Sequence, residues 1–367
     1  MRHRSHTGSF LLIAIVIIFA LIMGYAVVHR TKSATPPSSS AAKTSNGDIH
    51  TNPAFFQAKD FHVTGDGKTD DTDAIRKAIR AAAAVNGTVY FGEGIYLVSS
   101  PISIPKNVSI IGAGKEQTTF KSVNKNTDHV FSLDGNQTLQ DIGFDSQIGI
   151  MPLGDNINID ECKFKSSVQG IQNAVTVRNL TVTDTLFEGS GYSILSNKQP
   201  SYNVRIINCQ FLNNNSDDIE INAPSDGWTI ENCVFSGITS NTSNAGFGVG
   251  VAVGAQNILI KGCLFQDIAG QGIHAEAHSQ VMVSNCTFQN NGYVNYPGSP
   301  KADIAVLSEA NVSVFNCVFL KSTKEYSNLA IYNTDIPVGG TAMVQSSRFS
   351  GKKIDTQVKS INNRFLK

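Results

Sequence analysis

Phenylalanine recurs along this chain at intervals that a coil of nearly constant length explains. Phe144, Phe164, Phe187, Phe211, Phe235, Phe265, Phe288, Phe319, Phe349 and Phe365 mostly stand roughly 20 to 31 residues apart, the range of stacked repeat architectures. Two residues before six of them are Cys162, Cys209, Cys233, Cys263, Cys286 and Cys317, which are all the cysteines of the chain. One residue earlier runs a polar column of Asn208, Asn232, Asn285, Asn316 and Asn362, varied by Glu161, Asp184 and Gly262. An apolar pair precedes it, as in Val204/Ile206, Trp228/Ile230, Ile258/Ile260, Val281/Val283 and Val312/Val314.

Alternation within each unit fixes its geometry. Around Cys233, Trp228 and Ile230 share a face, Glu231–Asn232 breaks it, and Cys233 and Phe235 face inward again. Two short strands therefore meet at a two-residue corner. A further strand opens each coil, with inward pairs Ile219/Ile221, Val249/Val251, Ile273/Ala275, Ile304/Val306 and Leu329/Ile331. Three short parallel strands per turn, stacked about 4.8 Å apart, make a coil filled by like-on-like columns. Asparagine suits the corner because it tolerates a left-handed backbone and can bond to the coil above. The cysteines then form an inward ladder of free thiols rather than disulfides, since parallel side chains are poorly aimed for bridging. With no C-x-x-C pair, a metal role for them is not expected.

The repeat, the asparagine column and the phenylalanine column resemble the right-handed parallel β-helices of the pectin lyase-like superfamily, over most of the chain. Near the start, Gly65-Asp66-Gly67-Lys68-Thr69-Asp70-Asp71-Thr72 resembles the N-terminal signature of the pectate lyase superfamily group, which also covers rhamnogalacturonase- and epimerase-like domains. The expected fold class is all-β: a single-stranded right-handed parallel β-helix over residues 55–367 with an N-terminal α-helical cap. The cap is the helix through about Ala84, with Ile75, Ala78, Ile79 and Ala82 as its apolar stripe. Capping and turn formation account for Asp66, Asp70 and Asp71 without calcium or catalysis.

Before the coil, Phe10 to Val28 is an apolar run behind a basic start, long enough to span a bilayer. No A-x-A cleavage pattern follows it, so residues 1–30 read as a membrane anchor, with a cleaved signal as the alternative. Residues 31–54 read as a disordered tether rich in Ser, Thr, Pro and Ala. This places the large domain outside the cell, attached through residues 10–28. A net charge of +0 over 367 residues argues against nucleic acid as a partner.

On stacked coils a site is a column of outward residues. Aligned on their inward neighbours, Glu220, Gly250, His274, Asp303 and Ala330 or Tyr332 share one column. Asn222, Ala252, Glu276 and Ala305 form the next, and Asp217 and Asp218 enter the same strand at its start. His274 and Glu276 should stand about 6.5–7 Å apart, with Asp303 about 4.8 Å above His274 and Glu220 about 9–10 Å below it. Three coils carry insertions between the phenylalanine and the next opening strand, at 238–245, 290–301 and 320–328. Tyr293, Tyr296 and Tyr326 on these loops offer flat rings for sugars. Lys301 and Lys198 are the basic residues near the face.

Ser216-Asp217-Asp218-Ile219 resembles the paired-aspartate motif of the polygalacturonase branch. One coil later Gly246-Phe247-Gly248 departs from that branch's Gly-His-Gly, and neither its Asn-Thr-Asp-Gly nor its Arg-Ile-Lys is present. The resemblance implies a surface enzyme acting on an acidic extracellular polysaccharide. Hydrolysis through Asp217, Asp218 or Glu220 is one expectation, since it needs two carboxyls at a set separation. A lyase or epimerase centred on His274 and Glu276, with Asp303 nearby, is another. Asn222, Tyr293, Tyr296, Lys301 and Tyr332 are the expected substrate contacts. The same acids are candidates for binding Ca2+, which a lyase or epimerase can use against the uronate carboxylate. The rival from a different class is a glycan-binding or structural β-helix without catalysis.

Overall fold

The structure is a computed structural model that describes residues 54–123, 128–240, 245–295, 299–333 and 340–366. The apolar run at 10–28, the tether up to residue 53 and Tyr296 lie outside the described residues. Among the described residues no helix is long and apolar enough to cross a membrane.

Strands dominate because each coil alternates inward and outward residues and breaks at polar corners. One face is a sheet of thirteen parallel strands, running from Phe55–Gln57 to Lys359–Ile361. A second ladder carries the phenylalanines, and each pairs with its counterpart in the next coil: Phe187 with Phe211, Phe211 with Phe235, Phe235 with Phe265. The third ladder runs through Tyr192–Asn197, Ile219–Asn222, Val249–Val251, Ile273–Ala275, Ala302–Val306 and Leu329–Asn333, again all parallel. The chain from residue 54 onward is therefore a parallel β-helix.

Its interior is an aromatic stack. From Phe144 to Phe365 successive rings lie 4.7 to 5.0 Å apart and within 14° of parallel. The six cysteines are free and buried. In the upper coils each backbone N–H reaches the sulfur of the next, as from Cys233 to Cys263 at 3.5 Å and from Cys263 to Cys286 at 3.4 Å. Trp228 is buried and donates its indole N–H to Ser201 Oγ at 3.1 Å.

Corner asparagines sit in the left-handed region, with φ of 56° at Asn208 and 54° at Asn232, a conformation their short polar side chain tolerates. Asn316 Nδ2 donates to Asn285 Oδ1 at 2.7 Å. A second ladder, not singled out in the sequence, climbs through Asn107, Asn136, Asn156, Asn179 and Asn203, each amide bonded to the one below at 2.7 to 3.0 Å.

An α-helix at Thr72–Ala83 buries Ile75, Ala78, Ile79 and Ala82 in the same core. Asp70, one residue before the geometric cap position, accepts from Thr72 N at 3.0 Å, while Asp71 accepts from Thr64 N and Gly65 N at 2.7 and 3.0 Å. Asp66 accepts from Lys68 N and Thr69 N, which holds its carboxyl down to about 2.

Candidate functional site

The third ladder sets the site. Its register places Glu220 opposite Gly250, Gly250 opposite His274, His274 opposite Ala305, and Ala305 opposite Tyr332. These residues alternate with the inward Val249, Val251, Ile273, Ala275, Ile304 and Val306; in their column Glu220, His274 and Tyr332 are partly exposed, while Gly250 and Ala305 are covered by their neighbours. Glu220 and His274 are thus two coils apart, about 9.6 Å along the backbone column. Asn222 lies two residues beyond Glu220 on its strand, opposite Asn197.

His274 is held on three sides. Phe247, from the coil before, stacks on its ring at a centroid distance of 4.3 Å and 10° from parallel. Gln271 Oε1 lies 2.9 Å from His274 Nδ1, and Glu276 Oε2 lies 3.5 Å from Nε2. The histidine side chain is 14% exposed and Glu276 is 42% exposed. Hydrogen bonding to His274 holds the Glu276 carboxyl below its usual range, against a smaller opposing effect of burial.

Asp217 reaches toward the same spot from below. It is buried, and its Oδ1 accepts from Gly246 N at 2.7 Å and Phe247 N at 2.8 Å. A Cβ placed on Gly250 would meet Phe247 Cδ2 at 3.7 Å and Asp217 Oδ2 at 4.0 Å, so both side chains close over this glycine. Burial, and then the neighbouring Glu220 carboxyl, push Asp217 well above the usual carboxylate range despite its two backbone donors. Tyr192 completes the lower edge. Burial raises its phenol, Ser216 bonds to it with the opposite effect, and the charges of Asp217 and Glu220 add to the rise.

Two expected members of this face are elsewhere. Asp218 and Asp303 are both 0% exposed. By strand register they belong to one column with Gly149, Gly170, Ser193, Gly248 and Gly272. A Cβ at Gly248 would come within 2.8 Å of Phe265, and one at Gly272 within 3.1 Å, so this column lies against the phenylalanine stack. The inward–outward alternation breaks at Asp218 and Asp303, and both aspartates lie inside. Asp303 therefore does not stand above His274; Ala305 does. Nor does Ala305 belong beside Glu276.

Inside, each aspartate has its own partners. Asp218 Oδ1 accepts from Asn214 Nδ2 at 2.5 Å and Ser193 Oγ at 3.4 Å, and burial drives its carboxyl well upward. Asp303 pairs with Lys352 at 3.0 Å and accepts from Asn291 at 3.0 Å. Burial raises it to about 6 although Lys352 opposes the shift. Lys352 also donates to Ser327 Oγ at 2.7 Å.

The 290–301 and 320–328 loops clasp each other. Lys301 Nζ sits 5.0 Å over the Tyr326 ring and Lys324 Nζ 5.0 Å over Tyr293. Asn290 Oδ1 accepts from Thr323 N at 2.9 Å and from Ser322 Oγ at 3.1 Å. Lys301 and Tyr293 are thus engaged between loops, while Tyr332 lies in the His274 column.

The donors on this face do not fit a calcium cage. Asp218 and Asp303 are inside the coil, Asp217 is turned to two backbone N–H groups, and among the described residues no three His, Cys, Asp or Glu side chains converge as metal ligands. Sequence reasoning missed Tyr192 and Gln271. The coil at Tyr192–Asn197 carries no Asn-Thr-Asp-Gly motif that would mark it, and a glutamine between glycines carries no signal of its own.

Fold and site together define a pectate-lyase-like parallel β-helix whose outer face gathers acids, a histidine and a tyrosine. Residues 55–294 match the family described as rhamnogalacturonase A/epimerase, pectate lyase-like, and the chain belongs to that family. Over 76 residues it is 49% identical to alginate lyase 7 of Azotobacter vinelandii, a match covering 18% of this chain and 9% of that protein. The chain thus spans well under two thirds of that relative's length. The A-module of the mannuronan C-5 epimerase AlgE4 from Azotobacter vinelandii superposes with a TM-score of 0.56 at 19% identity, covering 85% of this chain and 96% of the module. The catalytic unit of a thermostable α-1,3-glucanase from Streptomyces thermodiastaticus superposes with a TM-score of 0.59 at 15% identity, covering 89% and 69%. These structural likenesses establish the parallel β-helix.

Proposed function

We propose that this protein cleaves an acidic, uronate-containing polysaccharide by glycoside hydrolysis on the face between Glu220 and Glu276. One observation carries the reading: carboxyls on a single face have environments that push them in opposite directions. Burial, and then the neighbouring Glu220, push the Asp217 carboxyl well up, whereas the hydrogen bond to His274 holds the Glu276 carboxyl down. Such a split assigns the acid and the base of a hydrolase. In this reading the Asp217–Glu220 pair works as one acid. Asp217 holds the proton and the partly exposed Glu220 passes it to the leaving oxygen. Glu276, oriented by His274, removes a proton from the attacking water. Tyr192 and Tyr332 bracket the column and supply ring faces and hydroxyls to the sugar. Lys301 lies toward the loop side and favours an anionic chain. The names of the relatives, alginate lyase and mannuronan epimerase, support an acidic substrate.

A second reading has its own support. If a uronate presents its C5 proton to Nε2 of His274, the same face performs elimination or epimerisation, with Glu220, backed by the buried Asp217, hydrogen-bonded to the sugar carboxyl. The test is the full-length protein against a panel of uronate-containing and neutral polysaccharides, with and without calcium, following reducing ends and unsaturated products together. Reducing ends alone support hydrolysis. Both signals together mean a lyase. Binding with neither signal overturns hydrolysis and elimination; uptake of solvent deuterium at C5 then means epimerisation, and its absence leaves a glycan-binding surface and overturns both readings.

Two further parts of the reading rest on the sequence. The run at 10–28 anchors the exported β-helix to the membrane, and the Thr72–Ala83 helix serves as a lid over the first coils.

A further inference from the structure

We propose that Gln271 is a positioning residue that fixes the tautomer of His274 and ties it to the Ser299–Pro300 segment of the neighbouring loop. The inference rests on His274 belonging to the reacting face described above.

Gln271 is 0% exposed and spans two partners. Its Nε2 contacts the carbonyl oxygen of Pro300 and lies 3.2 Å from Ser299 Oγ, while its Oε1 lies 2.9 Å from His274 Nδ1. The Pro300 carbonyl can only accept, so the amide N–H2 must point at it. The amide oxygen is thereby turned to His274, and an oxygen can only accept. Nδ1 must therefore carry a proton. One loop carbonyl, through one glutamine, sets which nitrogen of the histidine is free.

The consequence falls at Nε2. With Nδ1–H fixed, the neutral ring presents a bare lone pair toward Glu276 Oε2, 3.5 Å away. The two groups attract only when a proton lies between them. That proton leaves behind a neutral imidazole, so it is transferable without a change of tautomer. Were Gln271 absent, the neutral ring would be free to place its single proton on Nε2 and donate it to Glu276. Removing that proton would then require rearrangement of the ring. Gln271 thus turns the His274–Glu276 contact from a static hydrogen bond into a proton-exchanging pair.

The experiment is nitrogen-15 NMR of the full-length protein labelled at histidine, with His274 assigned by its loss in His274→Gln. In the neutral ring the expected state is protonated Nδ1 and bare Nε2. Gln271→Leu should move the population toward Nε2–H. Gln271→Glu, whose carboxylate only accepts, should keep Nδ1–H while losing the donor to Pro300. Activity should fall at least tenfold in kcat in Gln271→Leu with KM little changed. A neutral wild-type ring protonated on Nε2 overturns the proposal, as does an unchanged tautomer in Gln271→Leu. If that variant does not fold, the wild-type spectrum and Gln271→Glu decide. The tautomer is read without substrate, so a missing polysaccharide activity would count against the hydrolase reading and leave this result standing.

Discussion

The imidazole of His274 lies flat against the phenyl ring of Phe247, centroids 4.3 Å apart and planes 10° from parallel. Phe247 occupies the place where the polygalacturonase branch carries a histidine, so the departure in sequence has a structural counterpart. The ring forms a platform, and the histidine appears one coil later on top of it. Phe247→Leu keeps apolar bulk but removes the flat face. A stacked pair contributes about 0.5–1.5 kcal/mol beyond its buried area, so kcat should fall by up to about tenfold. Melting should change by only a few degrees. A variant with full activity would mean that the stack does not orient His274.

Asp218 offers a test by pH. Its folded-state carboxyl titrates well above the ordinary 3.8 because it is buried. A raised value means that the folded chain holds the proton more tightly than the unfolded chain. The stability this supplies is complete below about pH 4 and is lost as pH rises through the raised value. Asp218→Asn preserves an acceptor for Asn214 and has no charge to bury. It should melt about 2 °C or more above the parent at pH 7, and the gap should close as pH falls toward 4. A lower melting point for the variant at pH 7 would show that the ionised form is stabilised inside.

Much of this fold was legible because a β-helix repeats its constraints. Phe211, Cys209 and Asn208 recur with their neighbours in coil after coil, so a single register error would have broken every column at once. The column Glu220–Gly250–His274 was legible for the same reason, since Ile219, Val249 and Ile273 anchor it. Asp303 was not. Alternation from Ile304 points it outward, but residue 303 follows Gly272 in the register and lies beside the phenylalanine stack. The glycines at 149, 170, 248 and 272 mark this crowded position. They were a usable signal, because an aspartate in a glycine column must find partners inside. Gln271 was invisible for another reason, as its role depends on a loop that returns 28 residues later.

The buried pair of Asp303 and Lys352, both side chains 0% exposed, should behave as a unit. Asp303→Asn leaves an ammonium without its counter-ion, and breaking such a pair costs about 3–5 kcal/mol. Asp303→Asn combined with Lys352→Met removes both charges and should recover most of that loss. Urea midpoints for the single and double variants measure the coupling. Additive losses would show that the two side chains act independently.

The thiol ladder predicts silence toward reagents. All six cysteines are buried and free, and burial pushes Cys162 up to about 12. The closed core shields all six thiols, so a thiol-specific reagent at pH 8 should titrate no cysteine in the folded protein and six in denaturant. Fast labelling of any cysteine under native conditions would place that coil in an open state.

The division between the outer face and the interior is the sharpest test of the proposed chemistry. Glu220 and Glu276 lie on the face, whereas Asp218, although adjacent to Asp217, lies inside against the phenylalanine stack. Glu220→Gln removes the group that passes the proton, and Glu276→Gln removes the base. Loss of a general acid or base costs about 100-fold or more in rate, so each variant should lose at least that in kcat. Asp218→Asn should retain activity within about twofold, because a group sealed in the core touches neither sugar nor water. Initial rates of reducing-end release on the best polysaccharide of the panel give the comparison directly. If Asp218→Asn is the inactive variant and Glu220→Gln the active one, the paired aspartates work together as in the polygalacturonase branch. The face between Glu220 and Glu276 would then not be the site of cleavage.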